Sequence, residues 1–327
     1  MLPNTVQLEE VPCPLCIGEQ DEFILSGHDR LHSLPGRFTV VRCLNCGLMQ
    51  TDPRPTSATI GLYYPQDYGP YLSTKVLNSK TRTSQNRHFI GLRKGLLKPL
   101  YRKIIDLKTA CLPSSLQPGK MIELGCASGS YMQQMATRGW QVQGIESSSK
   151  AAEEARQLGF DVYTGTLESA PDPEYPMDLI VGWMVLEHLH DPVLCLKKLR
   201  RWAHPGTWLV LSIPNAGSLE FSLFGNRWYA LQLPTHLYHF TPETLEKLLN
   251  TAGWNITKIH HQRILSNLIA SLGYYLSDKG YKKAGQALIK FPEKAGRKSH
   301  LALYPLAWLL SKFGQTGRMT VWAKIKP

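Results

Sequence analysis

Hydrophobic positions in this chain fall into short apolar runs separated by segments of helical spacing. The run at 121–124 carries Glu123, turns through Gly125 and Gly129, and opens a helix-like segment over 130–138. A second run, 140–145, ends in Glu146. Further strands are expected at 161–165, 177–184, 207–213, 254–261 and 319–325. Between them, 193–203 reads as a helix with Leu194, Leu196 and Leu199 partly on one face, ended by Pro205-Gly206. Thr241-Pro242-Glu243 starts another, because threonine is a good N-cap and proline a good first helical residue. Strands alternating with helices predict an α/β fold around a parallel sheet.

Strand, glycine turn, helix and a second strand tipped by a carboxylate form the nucleoside-binding half of a doubly wound sheet. The turn lets backbone and ligand approach closely, and Glu146 can accept hydrogen bonds from both ribose hydroxyls. A dinucleotide fingerprint would need glycine where Ala127 and Ser130 stand, and a phosphate loop would need Gly-Lys-Ser/Thr where Gly129-Ser130-Tyr131 stands. The pattern Glu123-x-Gly125-x-x-x-Gly129 resembles motif I of class I S-adenosylmethionine (SAM)-dependent methyltransferases, and Val185-Leu-Glu-His-Leu-His-Asp-Pro192 resembles that family's motif after the fourth strand. The resemblance covers about 119–262 plus the last strand. It implies a doubly wound seven-stranded sheet and a SAM site built from Glu123, Gly125, Cys126, Ala127, Gly129, Glu146, Thr166, Leu167, Trp183 and Met184. The family often has glycine where this chain has Ala127; one methyl group tightens the turn without blocking it.

Cys13-Pro-Leu-Cys16 and Cys43-Leu-Asn-Cys46-Gly47 supply four thiolates in two knuckles, the spacing of a tetrahedral zinc site. A closed four-thiolate site leaves no open position for chemistry, so the zinc is read as structural. Cys111, Cys126 and Cys195 stay unpaired, and the amino terminus does not read as a signal peptide; reduced thiols in a cytoplasm are the expectation. The knuckles, followed by the cluster Tyr63, Tyr64, Tyr68 and Tyr71, look like the N-terminal zinc region of a bacterial methyltransferase subgroup. Some of its members act on nucleotide-linked sugars. The division expected is a zinc lobe over 1–73, a basic helical linker over 74–118, and a SAM-binding domain over 119–327.

Charge refines this picture. Residues 75–108 hold ten Lys/Arg against one acid, and 264–327 hold eleven against two, while 121–263 hold eleven bases and fourteen acids. The net charge of +12 therefore sits on the flanks. Basic flanks attract phosphate, on a nucleotide-sugar, an anionic membrane or nucleic acid. Residues 264–318 interrupt a connection that is short in this fold, and Leu265, Leu268, Ile269, Leu272 and Leu276 in it have helical spacing. Packing on the sheet or a substrate lid is the first reading for this insertion, and peripheral membrane contact the second. No apolar run reaches the length of a membrane span.

Methyl transfer to a hydroxyl needs a base, and histidine suits that near neutral pH. His236 is the first candidate, because it lies in the loop after the fifth strand, at the edge where ligands bind in such sheets. His188 and His239 follow, then Tyr68 and Tyr71. A metal held by His236 and His239 lacks an evident third ligand. The reading is a SAM-dependent methyltransferase with structural zinc, acting on a small hydroxylated acceptor such as a sugar nucleotide or a glycan or lipid precursor. Oxygen is preferred as the methylated atom over carbon. The alternatives are a zinc-containing RNA methyltransferase, disfavoured because Gly182-Trp-Met-Val replaces the Asn/Asp-Pro-Pro-Tyr/Phe motif of many base-amino methylases, and a non-enzymatic SAM-fold binding protein.

Overall fold

The computed structural model describes residues 5–18, 20–64 and 112–326. The candidates Tyr68 and Tyr71, Cys111 and most of the basic linker lie outside the described residues. Near the amino terminus come β1 (Leu8–Glu9), β2 (Asp21–Gly27), β3 (Phe38–Cys43), β4 (Met49–Thr51) and β5 (Arg54–Pro55). Then follow β6 (Lys120–Leu124), α1 (Ser130–Ala136), β7 (Gln141–Glu146), α2 (Ser149–Gln157), β8 (Asp161–Thr164) and β9 (Met177–Trp183). The chain continues through α3 (Pro192–Arg201), β10 (Ala203–Pro214), α4 (Leu219–Phe224), β11 (Tyr238–His239), α5 (Pro242–Thr251) and β12 (Trp254–His261). It closes with α6 (Ser266–Asp278), α7 (Lys282–Ile289), α8 (Phe291–Lys294), α9 (Arg297–Lys312) and β13 (Arg318–Ile325).

Seven strands make one sheet in the order β12-β13-β10-β9-β6-β7-β8. β10, β9, β6, β7 and β8 are parallel, and β13 runs against both its neighbours, β10 and β12. The expected doubly wound seven-stranded architecture is present. Its centre is buried on both faces, as parallel sheets require: Leu179, Ile180, Val181, Leu209 and Val210 have no exposed surface. Because β13 is reversed, its first residue, Arg318, sits opposite Pro214 at the carboxyl edge of the parallel strands.

Helix starts follow their capping chemistry. Ser148 accepts the N–H of Ala151, Asp191 accepts that of Leu194 ahead of Pro192, and Thr241 and Thr244 form a reciprocal capping box. Three expectations need correction. Pro205-Gly206 does not end a helix; β10 starts at Ala203 and runs through them, with its register on β9 interrupted between Ala203 and Trp208. Leu194 is 61 % exposed, so α3 packs through Leu196, Leu199 and Cys195 instead. Of the expected stripe Leu265, just before α6, is buried, but Leu268, Ile269, Leu272 and Leu276 are only part-buried, and the packed face of α6 is small: Asn267, Ala270, Ser271 and Gly273 with Tyr274. A Cβ on Gly273 would come within 2.7 Å of the Gly285 carbonyl, so close contact between α6 and α7 selects the small residues.

A second, four-stranded antiparallel sheet has the order β11-β4-β3-β2. β11 belongs to the segment that follows β10, so the loop that carries His236 is hydrogen-bonded into the cysteine-bearing lobe. Among the described residues no helix is long and apolar enough to cross a membrane.

Candidate active site

β6 and β7 end side by side, and the turn after β6 is built on Glu146. Its carboxylate accepts the N–H of Ala127 at 2.9 Å and that of Ser148 at 2.8 Å. Ala127 takes the left-handed conformation, φ +46°, between Gly125 at +63° and Gly129 at +81°. That conformation costs a residue with a Cβ about 1–2 kcal/mol, and the carboxylate bond to its N–H offsets part of this. Gly125 also leaves no room for a side chain, since a Cβ there would meet Val185 at 2.8 Å. Strain marks other corners of the same edge: Met184 follows β9 with φ +59°, and Gln232 lies in the loop before His236 with φ +41°.

Beside this turn, buried polar atoms lack protein partners. They are Glu123 Oε2, the Tyr131 hydroxyl and Trp183 Nε1. Tyr131 and Trp183 meet edge to face at 5.1 Å. Burial, reinforced by Glu146, holds the Glu123 carboxyl well above the usual range, and burial together with Glu123 raises Tyr131. Unsatisfied buried polar groups cost free energy unless a ligand or water meets them. A ligand with polar ends fits here, and SAM has both an amino-acid end and a ribose. Of the other expected cofactor residues, Leu167 and Cys126 are buried, whereas Thr166 bonds Ser169 at the surface.

Across the edge lie the histidines. His188 Nδ1 is 2.8 Å from the Thr235 carbonyl and 2.9 Å from the Tyr64 hydroxyl; His236 Nδ1 is 2.8 Å from the Ala230 carbonyl. A carbonyl only accepts, so each Nδ1 carries the proton and each Nε2 keeps its lone pair. The rings meet edge to face at 4.7 Å. Burial pulls His188 down to about 4 and His236 well below its ordinary value, with His188 and His239 adding to the latter. Both are neutral bases at pH 7.

The structure orders them differently from the sequence. His236 is only 1 % exposed, while His188 is part-exposed. His239 is 2 % exposed and faces the cysteine-bearing lobe, its Nε2 3.3 Å from Thr51 Oγ1. Sequence reasoning missed Glu187. Its carboxyl is fully buried, neither oxygen has a partner, and burial pushes it up to about 8. One donor atom each from Glu187, His188 and His236 lie within 4.8 Å of one another; His239 is not in this cluster, so the expected pairing of His236 with His239 is not the one the fold makes.

The four cysteines of the knuckles converge. All four Sγ atoms lie within 4.8 Å of one another, with Cys13–Cys46 at 3.3 Å and Cys16–Cys43 at 3.4 Å. A zinc ion with Zn–S bonds near 2.3 Å would space its sulfurs about 3.8 Å apart, so the set fits with small shifts. Each knuckle is a tight turn: Ile17 N–H bonds the Cys13 carbonyl, and Gly47 N–H the Cys43 carbonyl. Burial raises the Cys13 thiol; at Cys43 burial also raises it, but the N–H groups of Cys46 and Asn45 outweigh this and the thiol is lowered.

The lobe is wired to the histidines. Thr51 N–H bonds the Leu237 carbonyl, Thr51 Oγ1 donates to the His236 carbonyl, and Leu237 N–H bonds the Glu187 carbonyl. Arg54 donates to the Tyr238 hydroxyl and the His190 carbonyl. A separate cleft of about 590 Å³, lined by Ile24, Met49, Ala216, Phe221 and Thr244, contains neither Glu146 nor His188 nor His236.

A family described as "Methyltransferase domain" matches residues 96–259, half of the chain. The ubiquinone biosynthesis O-methyltransferase of Nitrosospira multiformis is 29 % identical over 152 residues, 42 % of this chain and 64 % of that protein. Its counterpart in Nitrosomonas europaea is 28 % identical over 147 residues, 41 % and 62 %. The chain thus spans less than two thirds of the length of these curated relatives. An S-adenosylmethionine-dependent methyltransferase structure from Mesorhizobium loti is 16 % identical, covers 71 % of this chain and 98 % of that one, and superposes with a TM-score of 0.43.

Proposed function

We propose, from the premise that this chain belongs to the methyltransferase-domain family, that it transfers a methyl group from SAM to an oxygen of a small hydroxylated acceptor. A nucleotide-sugar or a glycan or lipid precursor is the acceptor class we favour, with carbon methylation as the alternative outcome. The relatives named as O-methyltransferases support oxygen. The observation that carries the reading is the pair of neutral imidazoles, protonated at Nδ1, on the sheet edge where Glu146 and the glycine turn would seat the cofactor.

When bound, SAM supplies an electrophilic methyl group on a sulfonium. Glu146 would hold the ribose, and Glu123, Tyr131 and Trp183 its amino-acid end. His188, the more accessible imidazole, would accept the acceptor's hydroxyl proton at Nε2. His236 packs behind His188 and fixes its ring, while the Thr235 carbonyl fixes its tautomer. A base of this kind contributes about 10²–10⁴-fold.

Zinc on Cys13, Cys16, Cys43 and Cys46 would take no part in that step. It would hold β3 and β4 in place, and β4 carries β11 and with it the His236 loop. The proposal is tested by titrating S-adenosylhomocysteine and then assaying methyl transfer to nucleotide-sugars and lipid-linked hydroxyl acceptors. Binding with transfer to one acceptor class supports it. Tight binding of RNA that falls steeply with salt, with transfer to RNA alone, would replace the acceptor class.

A further inference from the structure

We propose that α9 docks this protein onto membranes carrying anionic lipid. A helix on a soluble protein turns its apolar stripe to the core; α9 turns it outward. Leu306 is 47 % exposed, Leu309 48 % and Phe313 71 %. At about 100° per residue these three fall within roughly 60° of one another. The opposite side holds the buried residues, Tyr304 and Ala307, with Tyr304 bonded through its hydroxyl to Arg263 at 2.8 Å. Lys312, about 60° round the helix from Leu309, borders the stripe, its ammonium 5.5 Å from the ring of Trp308.

Charge names the occupant. Lys298 and Lys312 of α9, and Lys294 just before it, are exposed, and α9 contains no acid. An exposed aliphatic and aromatic stripe with lysines at its rim matches the boundary between acyl chains and anionic headgroups: the rings and leucines enter the apolar side and the ammonium groups stay with phosphate. At 16 residues α9 lies on the surface, and it does not meet the requirements of a span. A face of this kind would bring a lipid-borne acceptor to the protein, but docking itself does not depend on methyl transfer.

The test is co-sedimentation of the full chain with vesicles of phosphatidylcholine plus phosphatidylglycerol, and with phosphatidylcholine alone. The chain should sediment with the anionic vesicles and be released by added salt. Leu309→Asp with Phe313→Asp should lower the bound fraction at least about tenfold, whereas Phe23→Asp, at a 67 % exposed site on β2, should not. S-adenosylhomocysteine titration of the double variant shows that it is folded and separates a failure of docking from a failure of the cofactor reading. Absence of vesicle binding, or equal binding by the double variant, overturns the proposal. So does a dimer in sedimentation velocity that the double variant dissolves without vesicle binding, which would make the stripe a self-association face.

Discussion

Glu146 is the residue whose removal should be felt most directly at the cofactor site. Its carboxylate already accepts two backbone N–H groups, from Ala127 and Ser148, and so fixes the turn in the conformation a nucleoside would meet. Oε2 keeps a further lone pair for a ribose hydroxyl, and on Oε1 a second ribose hydroxyl would take the place of the Ser147 hydroxyl, which donates to it at 3.4 Å. Glu146→Ala removes both functions. A hydrogen bond to a charged group contributes about 1.5–3 kcal/mol, and the two ribose bonds share one carboxylate. We therefore expect a loss of about 2–3 kcal/mol, roughly 30- to 150-fold in Kd. Glu146→Gln should lose nearly as much, because its amide NH₂ would confront the N–H of Ala127 or Ser148. The assay is isothermal titration with S-adenosylhomocysteine, alongside thermal melts that separate weakened binding from unfolding. A folded Glu146→Ala variant that binds within twofold of the unaltered protein would refute the reasoning.

Other expectations follow from the same geometry. His188→Ala should lower turnover about 10²–10⁴-fold with S-adenosylhomocysteine affinity nearly unchanged; turnover within a few-fold of wild type would remove it as the base. Glu187 is raised to about 8 in the fold and titrates near 4.3 when unfolded, so the stability it contributes is full below that value and is lost as pH rises to 8. The Tm of Glu187→Gln should therefore gain on wild type between pH 5 and pH 8, and a constant gap would contradict this. His188, at about 4, and His239, at about 3, are depressed by burial, so stability is full above pH 6.5 and falls as pH drops toward 4; a Tm flat from pH 7 to pH 4 would count against it. Metal analysis should find one zinc per chain, lost in Cys43→Ser/Cys46→Ser, and full retention there would exclude this ligand set.

Much of the fold was legible because its signals are local. Apolar runs set the strands, the Gly125–Gly129 turn marks the cofactor edge, and paired Cys-x-x-Cys spacing brings four sulfurs together. The features that escaped depend on contacts distant in sequence. Leu194 reads as core by spacing, yet α3 has enough buried surface without it. The small face of α6 makes sense only once Gly285 is known to press on Gly273. Glu187 hides inside a family motif, and only the fold shows its carboxyl buried beside His188 and His236. The difference in burial between His236 and His188 is likewise something no spacing reveals. β11 is two residues long, too short to register as a strand, although it ties the cysteine-bearing lobe to the segment that carries His236.

The central claim is that the carboxyl edge of β6, β7 and β9 seats SAM with its sulfur toward His188 and His236. The most direct test is a crystal structure of the protein with S-adenosylhomocysteine. The account predicts both ribose hydroxyls within hydrogen-bonding distance of Glu146, the amino-acid end among Glu123, Tyr131 and Trp183, and the sulfur facing His188. A ligand bound elsewhere, or a ribose that does not touch Glu146, would contradict it.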